Sequence, residues 1–323
     1  MDDVLCYGNA MQDSYAIAVD LGATNVRVAL VARDGKILAR ARDKTDKSGK
    51  GGRAIAKQIV SLVKTVLGES NTPLGRVAGI GVSSFGPLDH KKGGVKNAAN
   101  VPYLFIPLLE PLKTAFGRPV TLLNDANAAA LAEQKFGAGR GVNNLVYITI
   151  STGIGAGVIA DGKLLLGKGG NAGEVGHFII DTFYNIFCGC GQGAGHWEAY
   201  ASGRNIPRFF RAWAEQKGKR IAYRPAEAHE VFKKAREDDQ AAKQFLEELS
   251  RVNARAISNV ILAYDPEVII LGGSVALNNR QAILHGIKKY IDHFLPPPVI
   301  RVTSLGEDIV LLGAGAAAFE ERK

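Results

Sequence analysis

Apolar residues along this chain fall into short, dense runs, and the runs come in pairs. Ile17 to Leu30, IAVDLGATNVRVAL, holds two such runs around a bend of small and polar residues. Val146 to Ala160, VYITISTGIGAGVIA, repeats the arrangement with Thr149, Ser151, Thr152, Gly153, Gly155 and Gly157 in or beside its bend. Apolar runs joined by a small-residue turn predict β-hairpins, and two such hairpins far apart in the chain predict an internal duplication. Asp34-Gly35 marks a tight turn into a third strand, Lys36 to Ala41. Ile55, Ile59, Leu62, Val63, Val66 and Leu67 recur at helical spacing, so 54–67 reads as an amphipathic helix. A buried strand, Val77 to Ser83, runs into SFGPLD, where Gly86-Pro87 breaks regular structure and leaves a loop at the strand's C-terminal end. Ligands gather at such ends in α/β sheets. Pro119 to Leu123 is a further strand, and Asn124-Asp125 heads a helix of alanines, Ala126 to Phe136. The second half repeats the theme with a loop-rich insert, long helices between Trp197 and Tyr264, strand Val268 to Leu271, helix Arg280 to Phe294 and a final helix from Gly313. The pattern predicts a two-domain α/β protein with a hinge near Leu123. Residues 1–123 with 311–323 form the smaller domain, and 124–310 form the larger one with its insert.

The bends carry the first chemistry. Gly22 lets a ligand approach the backbone, and Thr24 and Asn25 can donate to phosphate oxygens while Asp20 holds Mg²⁺ through water. An ordinary hairpin with an acid at its bend accounts equally for one copy; the second copy, at Thr152 and Gly153, favours a polyphosphate held from two sides. No G-x-x-x-x-G-K-[ST] motif occurs. Glycines at Gly272 and Gly273, and again in LLGAGAAA from Leu311, admit adenine and ribose against bare backbone, and for the LLGAGAAA site helix–sheet packing is an equal alternative. Asp125, at a strand end and helix start, is the candidate base for a hydroxyl attacking a γ-phosphate. The competing reading is a plain helix N-cap.

A third cluster, GEVGHF followed by CGCGQGAGHWE, places Cys188 and Cys190 between His177 and His196. These are the thiolate and imidazole ligands that a closed, structural, tetrahedral Zn²⁺ prefers. Two buried cysteines in a glycine-rich loop are the alternative. Glu174 and Glu198 flank the loop and suit bidentate hydrogen bonding to adjacent sugar hydroxyls.

Composition narrows the classes. A chain of 323 residues with 46% hydrophobic content fills two cores, its apolar runs fall short of a membrane span, and the first residues lack a signal-peptide pattern. Only three cysteines occur, Cys6, Cys188 and Cys190, too few for a disulfide framework, which points to a reducing, cytoplasmic setting and no membrane. The net charge of +9 and pI near 9.4 raise a nucleic-acid reading. The excess lies largely between Arg33 and Lys64 without interleaved aromatics, so a solvated basic face that steers anionic nucleotides explains it, and no nucleic-acid partner is expected.

Together these segments resemble the ROK family of sugar kinases and repressors, over nearly the whole chain. DLGATNVRVAL is similar to that family's first phosphate motif, GIGVSSFGPLD to its sugar loop, LLNDANAAALAE to its catalytic segment, STGIGAGVI to its second phosphate motif, and GEVGHF with CGCG to its metal and sugar signature. The resemblance implies a two-lobed actin-like, ribonuclease H-like ATPase fold with duplicated β-sheet domains and a cleft between them. It implies a homo-oligomer, dimer or tetramer, that transfers phosphate from ATP to the 6-hydroxyl of a hexose, glucose foremost. Fructokinase and N-acetylhexosamine kinase are the alternatives, and SFGPLD resembles the fructokinase form of the sugar loop. By the same resemblance Asp125 is the base; Ser84, Asn100, Asn124, Asp125, Glu174, His177 and Glu198 contact the sugar; Asp20, Gly22, Thr24, Asn25, Thr152, Gly153, Gly272 and Gly273 bind the nucleotide; and His177, Cys188 and Cys190 bind zinc. The family usually reads C-x-C-G-x-x-G-C-x-E. Here the third cysteine is absent, one residue is added, and His196 precedes Trp197-Glu198, so His196 is the candidate fourth ligand. About sixteen residues precede the first strand, too few for the helix-turn-helix domain of a sugar-sensing repressor.

Overall fold

Strands β1 (Tyr15–Leu21) and β2 (Asn25–Ala32) pair antiparallel with Asp20 opposite Arg27, and both are buried over most of their length, as strands covered on two faces are. The computed structural model to which they belong describes residues 14–48, 51–97 and 101–320. Strand β3 (Ile37–Lys44) completes the meander after a turn in which Gly35 adopts a φ of +87°. Strand β4 (Val77–Ser84) joins β1 in parallel. Strands β5 (Leu88–Asp89), β6 (Gly94–Lys96) and β7 (Phe105–Pro107) form a separate small antiparallel sheet, and β8 (Val120–Asn124) pairs in parallel with β4. The main sheet therefore runs β3-β2-β1-β4-β8.

Helix α1 (Arg53–Glu69) buries Ile55, Ile59, Val63 and Val66 against β2 and β3. Each such side chain removed from water contributes about 1.5–3 kcal/mol before entropy is counted. Helix α2 (Leu109–Phe116) ends on Gly117 in the left-handed region, and α3 (Asp125–Phe136) follows β8 directly. The C-terminal helix, Ile309–Phe319, lies on α3, β1 and β4. Its approach is so close that a Cβ on Gly81 would sit 1.7 Å from the Ala314 carbonyl oxygen, and one on Gly313 1.7 Å from that of Ala128. Of the two readings of LLGAGAAA, packing is the one the structure supports: these glycines let backbones touch.

The second sheet is built alike. Strands β9 (Leu145–Ile150), β10 (Ile154–Ala160) and β11 (Lys163–Leu164) form an antiparallel meander; β12 (Val268–Gly272) and β13 (Val299–Val302) add in parallel beside β9, giving β11-β10-β9-β12-β13. Both five-stranded sheets thus have one topology, and the duplication expected from the paired hairpins is present. Between β11 and β12 lie α4 (Glu198–Ala201), α5 (Ile206–Gln216), α6 (Ala228–Arg236) and α7 (Gln240–Tyr264); α8 (Ser274–Asn278) and α9 (Arg280–Tyr290) follow β12. An aromatic cluster welds α5 to α7, with Phe209 and Phe210 each meeting Phe245 edge-on at 5.1 Å between ring centroids.

Two compact units result. One comprises residues up to Arg140, 166–170 and those from Leu305; the other comprises 141–165 and 171–304. These limits differ from the expected division at Leu123 and 310. Helix α3 packs on the C-terminal helix and follows β8 of the first sheet, so it belongs to the first unit, and Asp125 goes with it. No helix among the described residues is long and apolar enough to cross a membrane.

Candidate active site

In the first unit the C-terminal ends of β1, β4 and β8 bring four polar residues into line. Parallel register sets Asp20 beside Ser83, and Ser84 beside Asn124. Asn124 caps α3, its Oδ1 accepting from the Asn127 N–H at 2.7 Å. The N-cap role therefore falls to Asn124, and the Asp125 carboxylate, one position on, is left for other work. Ser83 Oγ donates to Asp125 Oδ1 at 2.8 Å. Burial pushes the Asp125 carboxyl up to about 7, the negative charge of Asp20 adds to the rise, and the Ser83 hydrogen bond and the Arg27 charge oppose it. A carboxyl poised near neutrality matches what a general base needs. Asp20 itself is raised by burial and held back by Arg27, whose Nε and second guanidinium nitrogen both reach Asp20 Oδ2, at 2.8 and 2.6 Å.

The first hairpin turn is tied from behind. Gly22 N–H donates to the Asn25 carbonyl, and Thr45 Oγ1 donates to the Gly22 carbonyl at 2.7 Å. Thr24 and Asn25 are exposed. The second turn is tied by an acid. Glu198 Oε2 accepts from the Ile154 N–H at 2.8 Å, while Gly203 N–H donates to the Ser151 carbonyl at 2.7 Å. A Cβ on Gly153 would meet Glu198 Oε2 at 2.6 Å, so a larger residue there would push the Glu198 carboxylate aside. Gly272 and Gly273 crowd the end of β9 in the same way: Cβ atoms would lie 2.1 Å from the Tyr147 hydroxyl and 2.5 Å from the Ile150 carbonyl oxygen. Beside them a cavity of about 410 Å³ opens next to Thr152, lined also by Gly203, Arg204, Ser274, Val275 and Asn278. Its size is that of a small-ligand site.

The metal-type cluster is assembled by a tight loop. Cys188 N–H donates to the Gly193 carbonyl and Gly195 N–H to the Ile186 carbonyl, turning the chain so that His177, Cys188, Cys190 and His196 offer ligand atoms within 4.8 Å of one another. His177 Nδ1 lies 3.4 Å from His196 Nδ1, which in turn lies 3.5 Å from Cys190 Sγ. A tetrahedral zinc with bonds of about 2.0 Å to nitrogen and about 2.3 Å to sulfur requires edges of about 3.3 and 3.5 Å, which these two edges match. Burial and the neighbouring His177 lower the His196 pKa, favouring the neutral imidazole, and burial pushes the Cys188 thiol up. Glu174 Oε2 stands 3.9 Å from the other nitrogen of His177, the place where a carboxylate orients a metal-binding imidazole. Burial raises the Glu174 pKa, His177 counters it and Glu198 adds to it. Behind the loop, Tyr200 OH donates to Asp181 and accepts from the Ile186 N–H, and Trp197 Nε1 donates to Asn253 Oδ1, all in the core.

The ROK family model matches residues 16–321. The chain belongs to the ROK family. It is 38% identical to a glucokinase of Pyrobaculum calidifontis over 94% of this chain and 95% of that protein. Among solved structures it is similar to the ROK hexokinase of Thermus thermophilus, with a TM-score of 0.80, 32% identity, and coverage of 94% of this chain and 98% of the other. It is similar also to a ROK family glucokinase of Streptomyces griseus in complex with glucose and AMPPNP, with a TM-score of 0.72, 29% identity, and coverage of 94% and 99%. The fold is the actin-like ATPase fold of that family, carrying its duplicated sheet.

Within this ROK chain, the residues singled out from the sequence fall into separate groups. Asp20, Asn124 and Asp125 converge in the first unit; Glu174, His177, Cys188, Cys190, His196 and Glu198 converge in the second. Ser84 is fully buried, and among the described residues its Oγ has no hydrogen-bond partner. Asn100 and Cys6 lie outside the described residues. Sequence reasoning passed over Ser83, which touches Asp125; Thr45, which anchors the first turn; and Arg204 at the cavity. For Ser83 the available signal was its place at the end of a buried strand, directly before the SFGPLD loop.

Proposed function

We propose that this ROK chain transfers the γ-phosphoryl group of ATP to the 6-hydroxyl of a hexose, with glucose the preferred acceptor. The observation that carries the reading is the Asp125 carboxylate, released from capping duty by Asn124 and poised near neutral pH. As the sugar oxygen forms its bond to the γ-phosphorus and the bond to the β–γ bridging oxygen breaks, the hydroxyl proton passes to Asp125 and ADP leaves. Thr24 and Asn25 on the first turn and the backbone N–H groups of the second turn bind phosphate oxygens; the 410 Å³ cavity beside Thr152 receives the adenosine. Asp20 would hold Mg²⁺ through water, and the ion would neutralise charge on the phosphate oxygens. His177, Cys188, Cys190 and His196 would hold a structural zinc that locks the loop bearing Glu174 and Glu198, the acids assigned to sugar hydroxyls. The glucokinase and hexokinase names of the related proteins support the substrate class.

The test is ADP release from ATP in the presence of glucose, mannose, fructose, glucosamine, N-acetylglucosamine or N-acetylmannosamine, each with polyphosphate as the alternative donor. The expected result is the highest kcat/KM for glucose with ATP. Sugar-independent ADP release alone, or none with any sugar, would sink the reading.

A further inference from the structure

We propose that Ser83 is the positioning residue for Asp125: its hydroxyl fixes one carboxylate oxygen, leaving the other to receive the proton of the acceptor hydroxyl. The inference rests on Asp125 being the base.

Geometry carries it. Ser83 is fully buried at the C-terminal end of β4, and its Oγ lies 2.8 Å from Asp125 Oδ1, across a sequence separation of 42 residues. Two parallel pairings hold it there, with Asp20 opposite on β1 and Leu123 opposite on β8, so the hydroxyl sits between the strand that carries Asp20 and the strand that leads into Asp125. Among the described residues, no other side chain hydrogen-bonds to the Asp125 carboxylate. A buried hydroxyl gains little from packing that alanine would not supply, and its desolvation is offset only by a hydrogen bond. This one is charge-assisted when Asp125 is ionised, and so is stronger for the carboxylate than for the neutral acid. It opposes the burial and the Asp20 charge that raise the Asp125 pKa. Without it the base would be protonated over more of the neutral range, and its carboxylate would turn about its own axis.

The experiment is the pH dependence of kcat/KM for glucose, which reports ionisations of the unliganded enzyme, in wild type, Ser83→Ala and Ser83→Thr. Far-UV circular dichroism and melting establish that each variant is folded. In Ser83→Ala the lower midpoint should rise by about one pH unit, which near a midpoint of 7 costs about fivefold in activity at pH 7 and little above pH 9. Ser83→Thr, which retains the hydroxyl, should return the midpoint toward wild type. A Ser83→Ala midpoint within about 0.2 units of wild type, against the expected one, overturns the positioning role while leaving Asp125 as base. Asp125→Asn, measured alongside, separates the two: retention of more than about a tenth of wild-type kcat, where a general base supplies at least about a hundredfold, removes the base itself.

Discussion

The two hairpin turns of this molecule occupy equivalent places in equivalent sheets, yet they are secured by opposite means. The first, 22–24, is held from outside by a neutral hydroxyl, Thr45, while its own strands carry the charge pair Asp20 and Arg27. The second, 151–153, has no charged residue of its own and is held by a carboxylate from elsewhere, Glu198. Duplication supplied two copies of one scaffold. Divergence then placed Asp125, the proposed base, beside the first copy and Glu174 and Glu198, the acids proposed to meet the sugar, with their metal-type loop, beside the second. A scaffold that needs only backbone pairing to form leaves the side chains at its bends open to such specialisation.

That division predicts separable defects. The largest is expected for Asp125→Asn, in which kcat should fall by at least about a hundredfold while glucose affinity, measured by calorimetry, shifts less than about threefold. The same variant should be more heat-stable. The folded pKa of Asp125, about 7, lies above its unfolded value, so the stability this group contributes is fully present below the unfolded pKa and is lost as pH rises through 7. The Tm advantage of the Asn variant should accordingly be larger at pH 8 than at pH 5, and equal melting at both would contradict the raised pKa.

Next comes the metal-type loop of the second unit. The purified protein should carry about one zinc per chain by elemental analysis, and Cys188→Ser should remove it and raise KM for glucose by about ten- to a hundredfold, with KM for ATP changing far less. A fall in kcat without a change in KM would break the assignment of recognition to this unit. Glu198→Ala should raise KM for both substrates, that for ATP by about tenfold, since the Ile154 N–H loses its acceptor and the second turn loosens. The smallest effect is expected for Thr45→Val. Losing one neutral hydrogen bond behind the first turn should raise KM for ATP by about threefold and leave KM for glucose alone. If Thr45→Val proved the more damaging of the two for ATP, the second turn would be the lesser phosphate holder.

The hairpins, the amphipathic helix α1 and the duplication were legible in the sequence because each rests on local periodicity or on a repeated local pattern. The metal-type cluster was legible because four ligand residues lie within 20 positions, and His196 was marked by the missing cysteine. Asn124 and Asp125 could not be told apart as caps, since both side chains suit that role; the 2.7 Å bond to Asn127 decides it. Ser83 was hidden because its partner is reached through parallel register, which no stretch of neighbouring residues encodes. The division between units was misplaced for a related reason: the cover of α3 comes from the far C-terminal end of the chain. Glycines were ambiguous throughout, because a residue absent of side chain looks the same whether a ligand or another backbone fills the space.

The backbone contact between Gly81 and Ala314 has a consequence for how the protein is made. Synthesis runs from the amino end, so the helix that covers β1 and β4 leaves the ribosome long after the strands it covers. Every residue of the second unit emerges before it. A nascent chain halted at Ser304 can complete the second unit, yet its first sheet still shows the apolar face meant for Ile309–Phe319, a surface prone to aberrant association. The first sheet is thus begun before the second and finished after it, and its quality depends on residues that stalled or shortened products never acquire.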